Sequence, residues 1–520
     1  MFKRETLIKQ IKENSEWDVI IIGGGASGLG VALDSSTRGY KTLLLEQVDF
    51  SKGTSSKSTK LVHGGVRYLA QGNIDLVKEA LYERGLLLKN ASHLVRIQSF
   101  IIPNYNWWDN FFYAMGLKVY DILAGKLSFG KSIRINKKEV FSRLKTIRNE
   151  RLKGGVVYFD GQFDDSRLAI NIAQTCIENG ATVLNHFKVK QLFKNNKGIV
   201  NGVVAKDGET NISYNLKAKV IINATGIFTD EILQMDNVRA KNMVRPSQGI
   251  HLVLDKSFLL GNEAIMIPKT TDGRVLFLVP WHNRVIVGTT DTLLNNHSLE
   301  PKALDEEVNF IISTVNKYLN KKVCKADVLS VYAGLRPLAA SKDNSKKTKE
   351  ISRSHKIIVS NSELITITGG KWTTFRRMAE DTINKAIEIG KLPDVTCKTK
   401  NLQIHGSKKL FHNKSHLNRY GSDQESIQKL ITETPELGEK LHSRLPYTKA
   451  EVIWAIRNEM ARTVDDILAR RVRVLFLEAK IAIEIAPYIA GLLAKELGKD
   501  KLWEQQQIKE FNIIAKHYIL

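Results

Sequence analysis

The clearest chemical signal in the sequence is a glycine-rich turn near its start. Positions 23–28 read GGGASG and contain the spacing G-x-G-x-x-G, formed by Gly23, Gly25 and Gly28. In a strand–turn–helix unit the first glycine permits a tight turn, the second lets the backbone approach a pyrophosphate, and the third allows close helix–strand packing. The N-terminus of the helix then faces the anion. The motif therefore predicts a dinucleotide-binding site.

A carboxylate follows at the distance that such a site requires. Glu46 ends an apolar run at 41–45, roughly 20 residues after the glycines, where it can accept hydrogen bonds from ribose hydroxyls. A glycine triplet alone is as often structural as functional. The apolar strand before it and the acid after it favour the binding interpretation.

The elements that must position these residues form a βαβ unit. We predict a strand at 18–22, a helix at 26–38 ended by Gly39, and a second strand at 41–45. The two apolar runs do not alternate with polar residues, which is typical of parallel strands covered on both faces. This unit is half of a nucleotide-binding fold.

Further along, the sequence predicts a mixed region followed by a helical one. Candidate elements are a strand at 154–160, a helix at 166–179 with Asp164 and Asp165 as capping candidates, and β-rich runs at 187–193, 200–206 and 220–223. Short strands at 244–290, with turn signals at 272–273 and 282–283, predict an antiparallel sheet. Helical periodicity at 449–468 and 474–497 predicts an α-helical C-terminal domain, and the polar segment 341–349 a surface loop.

The bulk composition is that of a globular protein with room for two or three domains. The chain has 520 residues, 43% hydrophobic and 25% charged, and its net charge of +24 is compatible with nucleic acid, an anionic membrane or an anionic substrate as partner. Its three cysteines have no metal-like spacing, so we predict no metal site. We find no secretory signal and no apolar run near the ~20 residues of a spanning helix, and we expect a protein that faces the cytosol.

Several longer motifs carry a resemblance to a known family. They are IINATG at 221–226, TSSKSTKLVHGGVRYL at 54–69, GQFDDSRL at 161–168, QGIH at 248–251, VPW at 279–281, GTTD at 288–291, YAGLRPL at 332–338, GGKWTTFR at 369–376 and ARTVDDILARR at 461–471. With these motifs the chain resembles the aerobic FAD-dependent glycerol-3-phosphate dehydrogenases, members of the D-amino-acid-oxidase-like superfamily. The resemblance covers nearly the whole chain. Lys57 and Thr59 replace small residues that are common in the family, without removing a group that the chemistry needs.

The resemblance implies FAD as the cofactor and an α/β (mixed α+β) fold. We expect a Rossmann-like FAD-binding domain with an antiparallel substrate-binding sheet and an α-helical C-terminal domain. Residues 1–392 would hold the FAD-binding parts (about 17–100, 154–240 and 357–390) and the interleaved substrate-binding parts (about 100–153 and 241–356), followed by the helical domain at 393–520.

The implied reaction is oxidation of sn-glycerol 3-phosphate to dihydroxyacetone phosphate by hydride transfer to FAD. Arg67 and Arg336 would bind the phosphate through their planar guanidinium groups, and Tyr68 would donate to the substrate. His251 is the candidate base because imidazole titrates near neutrality, and Lys371 would stabilise negative charge on the flavin or bind a substrate oxygen. Taken singly, the arginines could be structural ion-pair partners, His251 a core histidine and Lys371 a surface lysine.

The resemblance also assigns a set of cofactor-binding residues. They are Gly23, Gly25, Ala26, Ser27, Gly28, Glu46, Thr54, Ser55, Ser56, Lys60, Leu61, His63, Gly64, Gly65, Val189, Ala224, Thr225, Gly226, Gly334, Arg336, Gly370, Lys371, Thr373 and Thr374.

The expected partners are glycerol 3-phosphate, a quinone as electron acceptor and an anionic membrane surface, here the inner face of the cell membrane. Aromatic residues at 107–113 and the basic residues that follow would suit an interfacial surface; a buried helix with a solvated basic flank is the alternative. Transfer of electrons to O2 by an oxidase, or a related 2-hydroxy-acid or amine oxidoreductase, also stays open, as does a homodimer. We expect no nucleic-acid partner, since no basic block or RNA-binding motif occurs.

Overall fold

The structure is a computed structural model of the chain. It describes residues 3–14, 16–69, 72–271, 273–339, 355–407 and 415–520, without the side chains of Arg67, Trp107, Asp109 and Asn110. The surface loop predicted at 341–349, and Asp272 of the predicted turn, lie outside the described residues.

The described residues form strands and helices that alternate along most of the chain. The strands are β1 (Trp17–Ile22), β2 (Thr42–Leu45), β3 (Leu61–Val62), β4 (Val95–Asn104), β5 (Ile133–Asn136), β6 (Gly154–Phe163), β7 (Thr182–Leu184), β8 (Phe187–Lys194), β9 (Val200–Asp207), β10 (Ser213–Asn223), β11 (Val244–Asp255), β12 (Ala264–Ile267), β13 (Leu276–Trp281), β14 (Arg284–Gly288), β15 (Thr292–Leu293), β16 (Val328–Ala339), β17 (His355–Val359) and β18 (Ile365–Gly369). The helices are α1 (Arg4–Glu13), α2 (Ala26–Thr37), α3 (Val66–Leu69), α4 (Ile74–Asn90), α5 (Trp107–Ala124), α6 (Lys137–Arg143), α7 (Asp165–Glu178), α8 (Thr229–Asp236), α9 (Asp305–Val315), α10 (Phe375–Gly390), α11 (Gln424–Glu433), α12 (Lys449–Asn458), α13 (Val474–Leu477), α14 (Ala479–Leu497) and α15 (Lys501–Ala515).

The first sheet contains the predicted βαβ unit. Its main path runs β17-β18-β10-β1-β2-β7, and β9 and β8 extend β10 on the side. From β18 through β10, β1 and β2 to β7 the strands are parallel to one another, whereas β17 is antiparallel to β18 and β9 is antiparallel to β10. Ile22 pairs with Asn223, and Asn223 pairs with Thr366, so β1, β10 and β18 end at the same edge. The residues that follow these three strands are therefore close in space although they are far apart in sequence.

The second sheet is mostly antiparallel, as the sequence predicts. Its path runs β15-β11-β14-β13-β12-β4-β6-β3, with β16 on β11 and β5 on β6. One pairing departs from the antiparallel pattern, because β12 lies parallel to β4. The central strands β11 and β16 are long and lie side by side in register from Val244–Ala339 to Val253–Ser330.

The C-terminal region is helical, but both predicted long helices are interrupted. The helix predicted at 449–468 ends at Asn458, where Met460 adopts a left-handed φ of 54° and the buried Glu459 turns to pair with Arg167. The helix predicted at 474–497 is divided at Glu478, which has an extended backbone and whose carboxylate accepts a hydrogen bond from Arg284. In both places a buried ion pair with the rest of the molecule is made where the helix stops.

Buried charges join the helical region to the first sheet. Asp49 accepts hydrogen bonds from Arg470 and Arg471, and all three side chains are almost fully buried. The mixed α/β fold with a helical C-terminal region is thus confirmed, whereas the exact domain limits stay a prediction. Among the described helices, none is long and apolar enough to cross a bilayer.

Candidate active site

A cavity of about 430 Å³ lies where the two sheets meet. One wall comes from the shared edge of β1, β10 and β18, and the opposite wall comes from β11 and β16. Most of the predicted site residues line it, namely Gly23, Gly25, Ala26, Ser27, Glu46, Thr54, Ser55, Leu61, His63, Gly65, Tyr68, Val189, Ala224, Thr225, Gly226, His251, Gly334, Arg336, Gly370, Lys371 and Thr373. The fold therefore gathers residues that are far apart in the chain.

The glycine turn has the close packing that a dinucleotide cradle requires. Gly23 has a φ of 109°, and a Cβ there would lie 2.7 Å from the carbonyl oxygen of Ala224. A Cβ on Gly28 would lie 1.9 Å from the carbonyl oxygen of Gly23. Only glycine fits at either position, and α2 begins at Ala26 with its N-terminus at the cavity. These features fit the pyrophosphate of a dinucleotide.

Glu46 is held rigidly at the end of β2. Its Oε2 accepts a hydrogen bond of 2.6 Å from the Gly24 amide, and its Oε1 accepts one of 2.9 Å from the Val48 amide. Burial raises the pKa of this carboxyl group above its usual range, although both amides act in the opposite direction. Each carboxylate oxygen retains a further lone pair, so the group fits its predicted role as an acceptor from ribose hydroxyls.

The loop that follows, residues 54–60, is fixed to three other parts of the site. Thr54 donates to the carbonyl oxygen of Leu335 (2.5 Å), and Ser55 Oγ accepts from the Ala26 amide (2.9 Å). The indole of Trp372 donates to the carbonyl oxygen of Ser55 (2.8 Å). The loop is thus in contact with β16, α2 and the turn after β18.

Five predicted cofactor-binding residues lie behind the cavity wall in the described structure: Gly28, Ser56, Lys60, Gly64 and Thr374. Lys60 is fully buried, and its Nζ lies 2.6 Å from Asp165 Oδ2 and donates to the carbonyl oxygen of Ser56. Burial lowers the pKa of Lys60 to about 7 despite the attraction of Asp165. A direct role of these residues at the cofactor stays a prediction, and their visible role is to shape the wall.

His251 presents a neutral imidazole at the cavity. Its ring stacks on Tyr332 with 4.8 Å between the centroids, and its Nε2 shares a hydrogen bond of 2.8 Å with Thr59 Oγ1. A Cβ on Gly288, which pairs with His251 across the sheet, would lie 2.3 Å from the ring. Burial lowers the pKa of His251 well below its usual value, and the cations Lys60 and Arg336 act in the same direction.

Arg336 is anchored by the neighbouring strands. Its Nη2 donates to Thr289 Oγ1 and to the carbonyl oxygen of Thr290, both at 3.1 Å. A Cβ on Gly249 would lie 2.3 Å from Nη2, so a glycine opposite makes room for the guanidinium. Asp291 lies 3.5 Å from Nη1 and balances part of the charge.

Lys371 approaches the cavity from the other wall. It follows Gly369 and Gly370, both with positive φ, and its Nζ lies 3.9 Å from the centre of the Tyr68 ring. Tyr68 belongs to α3, as does Arg67, whose side chain is outside the described part of the structure. His251, Arg336, Lys371 and Tyr68 therefore line the same cavity, and their roles stay a prediction.

Comparison with known proteins identifies the family. The family described as "FAD dependent oxidoreductase" matches residues 18–375, and the "C-terminal domain of alpha-glycerophosphate oxidase" matches residues 365–507. A "Probable glycerol-3-phosphate dehydrogenase, mitochondrial" of Caenorhabditis elegans is 40% identical over 98% of this chain and 74% of its own length. The "Glycerol-3-phosphate dehydrogenase, mitochondrial" of Schizosaccharomyces pombe is 37% identical over 99% of this chain and 89% of its own length.

The chain belongs to the FAD-dependent glycerol-3-phosphate dehydrogenase family. A solved structure of a glycerol-3-phosphate dehydrogenase from Bacillus halodurans, complexed with FAD, superposes with a TM-score of 0.81 at 28% identity, covering 99% of this chain and 97% of that one. An L-alpha-glycerophosphate oxidase from Mycoplasma pneumoniae shares the fold at 16% identity, with a TM-score of 0.56 over 74% of this chain and 97% of that one. The predicted family, fold class and FAD cofactor are confirmed.

The site also contains residues that received no role in the sequence analysis. Thr59, Arg274 and Asp291 line the cavity. Asp291 ends the GTTD motif and Thr59 lies inside the 54–69 motif, so both were visible as part of a pattern. Arg274 follows a turn signal at 272–273 and resembles many surface arginines in the sequence. Only the packing of β13 against β12 places it at the site.

Proposed function

We propose that the protein oxidises sn-glycerol 3-phosphate at C2 to dihydroxyacetone phosphate. Bound FAD would accept the hydride and pass the electrons on. The observation that carries the proposal is the convergence of a neutral His251 with the cations Arg336 and Lys371 on one cavity. The dinucleotide turn forms another part of the same cavity wall.

The residue roles follow from charge and protonation. Arginine is well suited to bind a phosphate dianion. Because Arg336 is already held by Thr289 and Thr290, binding the phosphate does not cost the entropy of ordering its side chain. Lys371 supplies a second charge, and Arg67 and Tyr68 are proposed to complete the phosphate site. Because the pKa of His251 is lowered, its imidazole is neutral at pH 7 and can accept the C2 hydroxyl proton.

Anaerobic reduction of the bound flavin tests this proposal. We expect glycerol 3-phosphate to bleach the flavin absorbance, and 2-hydroxyglutarate and amino acids to leave it unchanged. Arg336→Ala should raise the Kd for glycerol 3-phosphate by roughly 10–100-fold, because charge-assisted hydrogen bonds contribute about 1.5–3 kcal/mol. Bleaching by one of the other substrates alone would overturn the assignment, and an unchanged Kd would remove Arg336 from the phosphate site.

For the electron acceptor we propose a quinone in an anionic membrane to which the protein binds peripherally. Support comes from α5, whose outer face exposes large apolar side chains, including Trp108 (86% exposed), Ile122 (76%) and Phe112 (65%). Exposed basic residues border this face: Lys118, Lys126, Lys131, Arg134, Lys137 and Lys138. An exposed apolar face beside cations is the arrangement of an interfacial helix. It favours this proposal over the alternative of a fully buried helix.

A second acceptor is favoured by one comparison. The match of residues 365–507 to the C-terminal domain of alpha-glycerophosphate oxidase suggests O2 as an acceptor. Steady-state turnover with glycerol 3-phosphate separates the two, since an oxidase forms peroxide in stoichiometric amounts and a dehydrogenase reduces a soluble quinone analogue faster than it consumes O2.

Which membrane the protein binds can also be tested by experiment. We predicted the inner face of the cell membrane, and the relatives from C. elegans and S. pombe carry "mitochondrial" in their names. Fractionation of the source cells, with release of the protein by salt, would decide between these membranes.

A further inference from the structure

Within the described structure, the imidazole ring of His251 forms its hydrogen bond with the side chain of Thr59. Thr59 Oγ1 lies 2.8 Å from Nε2 of the imidazole, and both residues line the cavity. The other ring nitrogen, Nδ1, is buried and has no hydrogen-bond partner among the described residues. The hydroxyl of Thr59 is therefore placed to hold the orientation of the ring.

Asp165 holds the residues on both sides of Thr59. Its Oδ2 accepts hydrogen bonds from Ser58 Oγ (2.7 Å) and Lys60 Nζ (2.6 Å). The carbonyl oxygen of Ser58 accepts a further bond of 3.0 Å from the hydroxyl of Tyr332, the residue on which His251 stacks. The backbone of Thr59 is thus fixed from both of its neighbours.

Arg473 extends this support to the helical C-terminal region. Its fully buried guanidinium donates to Asp165 Oδ1 (2.9 Å) and to the carbonyl oxygen of Ser56 (3.0 Å). A third bond, of 2.6 Å, goes to Ser166 Oγ. Removing a partner from a buried charge network is costly, so the position of Arg473 constrains that of Asp165.

We propose that Thr59 is a positioning residue for His251, held in place by Asp165 and Arg473, so that the helical C-terminal region acts on the reacting centre. This inference rests on the proposed role of His251 as the base. It gives Arg473, a residue of the helical C-terminal region, an indirect role in the reaction.

The test compares Thr59→Val, which removes the hydroxyl at nearly constant shape, with Thr59→Ser, which retains it. In FAD-loaded enzyme we expect Thr59→Val to change the ¹⁵N chemical shifts of the His251 ring nitrogens. We also expect it to slow flavin reduction by glycerol 3-phosphate roughly 10-fold or more, a part of the 10²–10⁴ that a general base contributes. The Kd for the substrate should stay within about twofold, and Thr59→Ser should restore both signals.

Unchanged His251 shifts in Thr59→Val would overturn the proposal, even if the rate fell, because the effect would then act elsewhere. The NMR signal does not need turnover. If wild-type flavin is not reduced by glycerol 3-phosphate while the His251 shifts still respond to Thr59→Val, the proposed function fails and the positioning role stands.

Arg473→Lys tests the contribution of the C-terminal region, with Arg419→Lys as the matched control. Arg419 is also a buried arginine in this region and pairs with Glu451 at 2.7 Å. We expect Arg473→Lys to shift the His251 signals and Arg419→Lys to leave them in place. If Arg473→Lys does not fold with FAD, Ser166→Ala, which removes a hydrogen-bond acceptor of Arg473, replaces it. If the variant used shows the same His251 chemical shifts as the wild type, the proposal that Arg473 helps to position Thr59 is wrong.

Discussion

The ammonium nitrogen of Lys371 lies 3.9 Å from the centre of the Tyr68 ring. Lys371 follows β18 of the first sheet, and Tyr68 belongs to α3, which follows β3 of the second sheet, so the contact joins two parts of the cavity wall. A cation at this distance from an aromatic face is attracted by the ring. The ring thus positions the charge that we propose binds the substrate.

Replacing Tyr68 with Leu should weaken substrate binding. Loss of the cation–π contact, about 1 kcal/mol, corresponds to a roughly fivefold higher Kd for glycerol 3-phosphate. Tyr68→Phe is the reference, because it keeps the ring and removes only the hydroxyl that we propose donates to the substrate; the fivefold difference is expected between Tyr68→Leu and Tyr68→Phe. Flavin difference spectra during titration give both constants. Equal Kd values for Tyr68→Leu and Tyr68→Phe would show that the ring does not position Lys371.

Gly28→Ala should abolish FAD retention. The new Cβ would lie 1.9 Å from the carbonyl oxygen of Gly23, so the turn that approaches the pyrophosphate must open. Gly116→Ala in α5 is the matched control, since a Cβ there has no atom within 4 Å in the described structure. The ratio of flavin absorbance to protein measures the outcome. A Gly28→Ala protein with a full complement of FAD would contradict the predicted fit.

Asp49→Asn should loosen the helical region from the first sheet. Arg470 and Arg471 would each lose a buried carboxylate partner. Because Arg470 keeps Asp465 and Asp466, we expect a cost of about 3 kcal/mol in the free energy of unfolding, the lower end for a broken buried ion pair. The control is Glu496→Gln, which breaks the more exposed pair with Arg457 and should cost about 0–1 kcal/mol. Denaturant unfolding gives the energies, and limited proteolysis shows whether the helical region is released. Similar losses in both variants would refute the argument from burial.

The stability of the protein should fall between neutral and alkaline pH because of His405. Its imidazole lies between Asp423 (2.9 Å) and Glu178 (2.6 Å), and these carboxylates raise its pKa to about 9 although burial acts in the opposite direction. The folded pKa exceeds the unfolded value of about 6.5, so the stabilisation is complete below that pH and is lost as the pH rises through about 9.

Thermal unfolding of the wild type and His405→Gln across this range measures the effect of His405. The difference in Tm between the two proteins should be largest near pH 6 and should shrink by pH 10. A difference that is independent of pH would indicate that the ring contributes by packing alone.

Trp108→Ala together with Phe112→Ala should weaken binding to anionic vesicles. These side chains are 86% and 65% exposed, and their burial in the interface would contribute about 25 cal/mol per Å² of apolar area. Leu502→Ala is the control, because Leu502 is 75% exposed on a different helix, α15 of the C-terminal region. Vesicle sedimentation at low salt measures binding. Equal binding by all three proteins would remove α5 from the proposed membrane contact.

Part of the fold could be predicted from local pattern. The unit β1–α2–β2, the glycine turn and Glu46 were predicted within one or two residues, because hydrophobic pattern and glycine spacing are properties of short segments. The two C-terminal helices were predicted too long. Their breaks at Glu459 and Glu478 depend on Arg167 and Arg284, which are distant in sequence, and local periodicity contains no information about such partners.

The sequence by itself determined the dinucleotide turn, the family and the identity of the candidate groups, His251, Arg336 and Lys371. Only the tertiary structure decided their protonation and their hydrogen-bond partners. It lowers the pKa of His251 by burial, gives its ring Thr59 as a partner, and brings Arg473 from the C-terminal region against the loop that carries Thr59. The physical reason is that residue types are local, whereas burial and hydrogen-bond partners depend on which distant strands and helices pack together.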